Sequence, residues 1–215
     1  MDDHHRHIFG TASWPTEHGN PFNSNVAPVR ATAQGQVLWS APLPTRDGGG
    51  VVVAADGRCI VSSGRYLTAI RPGAQVDWTI ETELAWVYNP IILPDGRFVR
   101  TEEDAIIIRD QSTGAVLASL PVPSHGLALT PDGDLVFTES QEGGNCRLQK
   151  LTLEGEVRWS QPQGSWSFDP PLVLEQMIVV GDGSYLRAYD LDGMLLWIAN
   201  QDGFQHAAPS NRDHL

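Results

Sequence analysis

The chain has 215 residues, of which 41% are hydrophobic and 19% charged, with 21 Gly, 15 Pro and 2 Cys. That length fits one domain, or two at most, with a core that needs no staples; two cysteines exclude a disulfide scaffold, and no run of about 18 apolar residues is available to span a membrane. A net charge of −12, with Lys150 the single lysine among 14 basic residues, argues against nucleic acid or an acidic membrane surface as the partner.

Residues 1–34 read as a leader, partly disordered. It opens on Met1-Asp2-Asp3-His4-His5-Arg6-His7 with no apolar h-region behind it, so no secretory signal is expected and the expected compartment is the cytoplasm. His4, His5 and His7 read as a solvated tail rather than a metal site. Cys59 and Cys146 lie far apart, without a C-x-x-C motif or a histidine at ligand spacing, and read as buried thiols.

From residue 35 onward one phrase returns, a glycine followed by a short apolar run and a tryptophan. It occurs as Gly35 to Trp39, Gly73 to Trp78, Gly155 to Trp159 and Gly193 to Trp197, with Gly114 to Ala118 carrying alanine at the tryptophan place. The anchors at 39, 78, 118, 159 and 197 are separated by 39, 40, 41 and 38 residues, the regularity of a structural repeat. Asp56-Gly57, Asp95-Gly96 and Asp132-Gly133 keep the same beat, and Asp-Gly supplies the positive φ that a tight hairpin needs.

The segments between these signals are short and rich in β-formers: Gly50–Val53, Cys59–Val61, Arg97–Val99, Ala105–Ile108, Asp134–Phe137 and Met177–Val180. They have strand length, and no window carries a sustained helical stripe. The expected fold is all-β. Each period holds four antiparallel strands, A to D, with A before the Asp-Gly turn, B after it, C in segments such as Ser184–Tyr189, and D in the Gly-to-Trp phrase. Four short strands per forty residues describe a β-propeller blade. Trp39, Trp78, Trp159 and Trp197 are then the blade-docking residues, each filling the wedge between neighbouring sheets.

These residues resemble the PQQ-like (pyrroloquinoline-quinone-type) propeller repeats, whose docking phrase is Ala-x-Asp-x-x-Thr-Gly-x-x-x-Trp. Asp110-Gln111-Ser112-Thr113-Gly114 keeps the spacing and loses the tryptophan; Ala188-Tyr189-Asp190-Leu191-Asp192-Gly193 to Trp197 keeps it and is one residue short. Trp14-Pro15 and His18-Gly19-Asn20 are similar to the leader before the first blade. The family includes quinone-dependent dehydrogenases, which hold their cofactor beneath a disulfide of adjacent cysteines with a Ca²⁺ on Glu, Asn and Asp. This chain has no Cys-Cys pair and no spacing that identifies such a Ca²⁺ site, so no cofactor, metal or catalytic residue is assigned.

The count is about four complete blades over residues 35–210, with a lone strand D at Trp39, the strand A of a fifth blade at Ala207–Ser210, and a tail at 211–215. This incomplete or open ring leaves three arrangements: a fragment of a longer protein, a half-propeller completed by a protein partner or a second copy, or a small closed ring. Glu102-Glu103-Asp104 reads as a solvated hairpin tip, Gly48-Gly49-Gly50 runs into a strand rather than a phosphate-binding helix, and Ser124-His125 has no triad spacing. The connectors from strand D to the next strand A carry Trp86 and Tyr88, His125, Trp166 and Asp169, and His206. Aromatics with polar ends suit recognition. The expected function is therefore a non-catalytic module binding a protein or small ligand at one ring face, with a fragment of a quinone-dependent oxidoreductase as the alternative.

Overall fold

The computed structural model describes residues 15–16, 35–82, 89–102, 104–140, 146–164, 170–183 and 185–200. Among them are sixteen strands and no helix. The first sheet holds β1 (Gly48–Val53), β2 (Cys59–Ser63), β3 (Tyr66–Arg71) and β4 (Gln75–Glu81). The second holds β5 (Ile91–Ile92), β6 (Arg97–Glu102), β7 (Ala105–Asp110) and β8 (Val116–Leu120). The third holds β9 (Ser124–Leu129), β10 (Leu135–Ser140), β11 (Cys146–Leu151) and β12 (Val157–Gln163), and the fourth β13 (Leu172–Val173), β14 (Met177–Asp182), β15 (Tyr185–Asp190) and β16 (Leu195–Asn200). Every sheet is an antiparallel meander whose spatial order follows the chain. The fold is an incomplete all-β propeller of four-stranded blades. The chain forms two compact units that divide between Pro123 and Ser124, each with two of these sheets.

The turns explain why the strands stop where they do. In the first hairpin Ala54 N–H donates to Arg58 O and Gly57 N–H to Ala54 O, with Gly57 at φ 80. Thr130, Gly133 and Asp134 repeat that pattern, with Gly133 at φ 85. This is a type I turn followed by one left-handed residue, the usual three-residue hairpin. Only the glycine of each Asp-Gly pair takes a positive φ, so aspartate does not share the left-handed role expected of it. Asp56 and Asp95 instead accept from the backbone N–H two residues on, an Asx contact that needs no unusual φ. The fourth hairpin has a two-residue link, Glu175-Gln176, closed by Leu174 N–H to Met177 O, which is why the Asp-Gly beat ends there.

One expected strand is absent. Residues 35–47 carry no strand, and Trp39 lies exposed on irregular chain. A strand D needs a strand C beside it, and among the described residues none pairs with this segment.

The core alternates along the strands. In the first unit Val52, Ala54, Ile60 and Leu67 of the first sheet meet Ile92 and Phe98 of the second, with Trp78 and Ile80 packed on top. In the second unit Val136 and Leu148 of the third sheet meet Val173, Ile178, Val180 and Tyr189 of the fourth, with Trp159 against them. Fully burying a side chain such as Phe98 contributes about 2–3 kcal/mol, so this interdigitation holds each pair of sheets. Each sheet also has a register break between its third and fourth strands, at Ala69/Ile70, Ile108/Arg109, Lys150/Leu151 and Ala188/Tyr189. The break falls beside the anchor, where Trp78 pairs with Ala69, Trp159 with Lys150 and Trp197 with Ala188; a bulge re-aims the side chain next to it.

Candidate functional site

Two sets of residues compete for the role of functional site, one at each end of the sheets. The end with the A-to-B and C-to-D turns is the docking end. Trp78 stacks on Phe98 of the following sheet with ring centroids 6.0 Å apart, and its Nε1–H donates to Gln111 O at 3.1 Å. Arg58 donates to the same carbonyl from Nη1 at 2.9 Å. In the second unit Trp159 stacks on Tyr189 at 6.4 Å, and its Nε1–H donates to Leu191 O at 2.9 Å. Lys150 Nζ donates to that carbonyl at 3.2 Å. In both units one carbonyl of a C-to-D turn thus receives an indole and a cation from the preceding sheet.

The turns are built to present those carbonyls. Asp110 Oδ1 accepts from the backbone N–H and hydroxyl of both Ser112 and Thr113. Chiefly the Ser112 and Thr113 hydroxyls hold the Asp110 carboxyl below its ordinary range. Asp190 Oδ1 caps Asp192 and Met194 in the same way. Gly114 and Gly193 follow at φ 74 and 85, and an added Cβ would lie 3.1 Å from the Trp78 ring and 2.6 Å from the Trp159 ring. Glycine is required twice over, for the backbone and for the indole.

The cations that reach these carbonyls are neutralised locally. Arg58 Nε pairs with Asp77 at 3.0 Å, and Asp77 also holds Arg71 at 2.8 Å. Buried Lys150 pairs with Asp132 at 2.5 Å and with Asp134 at 3.6 Å. Burial pushes the Asp132 carboxyl up, and hydrogen bonds from Lys150 and Thr130 outweigh it and leave it below the usual carboxylate range. These ion pairs lie within one sheet, while the bonds to Gln111 O and Leu191 O join sheet to sheet; together they leave little at this end for an outside ligand.

The opposite end carries the B-to-C hairpins and the D-to-A connectors. Of the residues expected to form a recognition surface, Trp86, Tyr88, Trp166, Asp169 and His206 lie outside the described residues. His125 lies at the start of β9, half-buried, with its carbonyl accepting from Thr138 Oγ1 at 3.1 Å. Burial holds the His125 imidazole below its ordinary value, so it is neutral at pH 7. Its folded pKa is the lower one, so as pH falls through about 6.5 the unfolded chain takes up more proton than the folded one. His125 therefore costs stability on acidification. His125→Gln is expected to reduce the loss of urea-unfolding free energy between pH 7 and pH 5.5; an unchanged loss would contradict this. Ser124 is buried while its neighbour His125 is half-exposed, as successive strand residues point to opposite faces, and the two form no nucleophile–base pair.

Glu102 corrects another expectation. It is buried rather than solvated, and its carboxylate takes both Nε and Nη2 of Arg109 at 2.8 and 2.7 Å, while Arg109 Nη1 donates to Gly114 O. Fully buried Arg100 lies two residues before Glu102 on the same strand face; burial, with the charge of Glu102 opposing and that of Arg109 adding, pulls the Arg100 guanidinium down to about 10. Phe98, Arg100 and Glu102 share one face of β6, and Val99 and Thr101 on the other face are buried as well.

Comparison with known proteins follows the same geometry. Residues 109–213, just under half of the chain, match the PQQ_2 family described as outer membrane protein assembly factor BamB. The chain is similar in structure to the quinohemoprotein alcohol dehydrogenase of Comamonas testosteroni, with TM-score 0.66 and 14% identity over 91% of this chain and 42% of that one. It is also similar to BamB from Moraxella catarrhalis, with TM-score 0.54 and 12% identity over 72% of this chain and 53% of that one. Over residues 109–213 the repeats match the PQQ-like propeller pattern.

At such identities the likeness is one of fold, and the chain spans about half the length of these structures. No curated protein matches the chain. Cys59 and Cys146 are separate free thiols whose burial raises both above the ordinary thiol value. Among the described residues no three His, Cys, Asp or Glu side chains converge as metal ligands. Standing apart in the sequence, these two thiols do not form the adjacent-cysteine clamp that the resemblance implies. Among the described residues no helix is long and apolar enough to cross a membrane.

Proposed function

We propose that this PQQ-like propeller is a non-catalytic binding module whose protein partner or small ligand is held at the connector end of the blades. The observation that carries this reading is the asymmetry between the two ends. At the docking end the Gln111 and Leu191 carbonyls and the Arg58 and Lys150 cations are already bonded to one another. The connector segments carry the aromatic and ionisable residues Trp86, Tyr88, Trp166, Asp169 and His206 in their sequence, and aromatic side chains are enriched at recognition surfaces. The family match adds to it, since its description is of an assembly factor, a role that works through protein partners.

The test is a double change, Trp86→Ala with Trp166→Ala. Binding of a partner isolated with the unaltered chain should fall by about 30-fold or more while circular dichroism and thermal midpoint stay put. A drop in the midpoint without a binding-specific loss would show these indoles to be packing residues and overturn the reading. The second reading, a segment of a quinone-dependent oxidoreductase, draws on the 91% of this chain that overlays the quinohemoprotein dehydrogenase. Calorimetric titration with pyrroloquinoline quinone and Ca²⁺ separates the two: no saturable heat is expected of the binding module, and a saturable one favours the enzyme.

A further inference from the structure

The second and fourth sheets begin with the same kind of two-residue inner strand, and one of the two is met by a segment from elsewhere in the chain. Ile91 and Ile92 form β5, Leu172 and Val173 form β13, and all four residues are buried. Leu93 N–H donates to Arg97 O and Leu174 N–H to Met177 O. In the antiparallel register this makes Ile92 with Phe98, and Val173 with Ile178, the non-hydrogen-bonded pairs. The N–H groups of Ile92 and Val173 therefore point away from their own sheets. Ile92 N–H donates to Pro15 O of the leader at 2.9 Å. Val173 is 1% exposed, and among the described residues nothing accepts from its N–H. A backbone donor so far from water needs an acceptor.

We infer that the carboxyl-terminal segment supplies it, Pro209 O accepting from Val173 N–H as Pro15 O accepts from Ile92 N–H. Residues 201–215 lie outside the described residues. In sequence Ala208-Pro209-Ser210 matches Trp14-Pro15-Thr16, a proline followed by a hydroxyl residue. The other such pairs are already placed, with Thr45 on Ser63 and Ser124 in β9. Proline suits this edge, since the bond uses only its carbonyl and its missing N–H faces away from the ladder. Reach agrees. The spatial order β13-β14-β15-β16 sets β16 three strand spacings, about 14 Å, from β13. In this meander β16 ends at the end of the sheet where β13 begins, and the chain from Asn200 to Pro209 can span up to about 30 Å. The alternative, a strand A built from this segment, suits the residues less well. Pro90 and Pro171 lead into Ile91-Ile92 and Leu172-Val173, whereas Pro209 leads into Ser210-Asn211, a polar pair unsuited to a buried inner strand. A strap at this place also closes the edge of β13 to other chains.

Scalar coupling through the hydrogen bond, read by NMR of the unaltered chain labelled with ¹³C and ¹⁵N, names the acceptor of each amide. The Val173 nitrogen should couple to the Pro209 carbonyl carbon, with Ile92 and the Pro15 carbonyl as internal reference. Coupling of Val173 to any other carbonyl, one in residues 17–34 included, would overturn the inference. So would an uncoupled Val173 amide in a sample where the Ile92 coupling is seen. Hydrogen exchange gives a second reading: removal of residues 201–215 should speed exchange of the Val173 amide by at least about tenfold and leave Ile92 unchanged. Equal Val173 exchange with and without the segment would contradict the strap. Circular dichroism shows whether the shortened chain folds, and where it does not, the coupling in the unaltered chain decides. No partner or ligand enters these measurements, so their outcome is separate from that of the proposed function.

Discussion

Gly193→Ala is expected to lower the unfolding free energy by about 3 kcal/mol, from left-handed backbone strain plus overpacking against a fixed ring. The methyl would sit 2.6 Å from the Trp159 ring, and that ring cannot retreat without losing its bond to Leu191 O and its stack on Tyr189. Gly114→Ala meets the Trp78 ring at 3.1 Å, so a few tenths of an ångström of movement suffice and about 2 kcal/mol is expected. Gly73→Ala has open space around it and should show the backbone strain alone, about 1 kcal/mol. The three share a positive φ, so their order, read by urea unfolding of dilute protein, isolates the indole contact. Three equal losses would mean that the indoles contribute nothing at these turns.

Glu102→Ala is expected to cost about 3–5 kcal/mol, the penalty for leaving buried charge without its counter-ion. Two guanidiniums depend on that carboxylate. Arg109 is held by it in a two-pronged bond, and Arg100 is fully buried with its guanidinium pulled down to about 10, still charged at neutral pH. Glu102→Gln retains volume and one acceptor and should recover part of the loss. If Glu102→Ala unfolds with the same urea midpoint as the unaltered chain, the carboxylate is solvated after all and the ion pair is not a structural element.

The blade pattern was legible because it is local and periodic. Turn glycines, β-branched runs and one anchor per forty residues are each set by a few neighbouring residues, and repetition separates them from chance. The indole bonds to Gln111 and Leu191 follow from that period. The cations on the same carbonyls do not, since Arg58 comes from an A-to-B turn and Lys150 from a third strand; non-equivalent positions leave no periodic trace. Glu102 was hidden for another reason, because charge at a hairpin end is ordinarily solvated and both faces of its strand are buried, so alternation does not set it apart. Trp39 shows the opposite limit: its phrase is complete, but a strand is made by its partner as much as by its own residues. At the connector end only His125 lies among the described residues, and there strand alternation rather than motif spacing decides that Ser124 cannot serve it.

Hydrogen exchange of the indole Nε1–H groups, followed one tryptophan at a time by NMR of the ¹⁵N-labelled protein, measures the docking bonds themselves. Trp78 and Trp159, which donate to backbone carbonyls of the following sheets, should exchange far more slowly than exposed Trp39. Exchange of all three at the rate of free indole would contradict the account, because the sheets would then be stacked without the bonds said to join them.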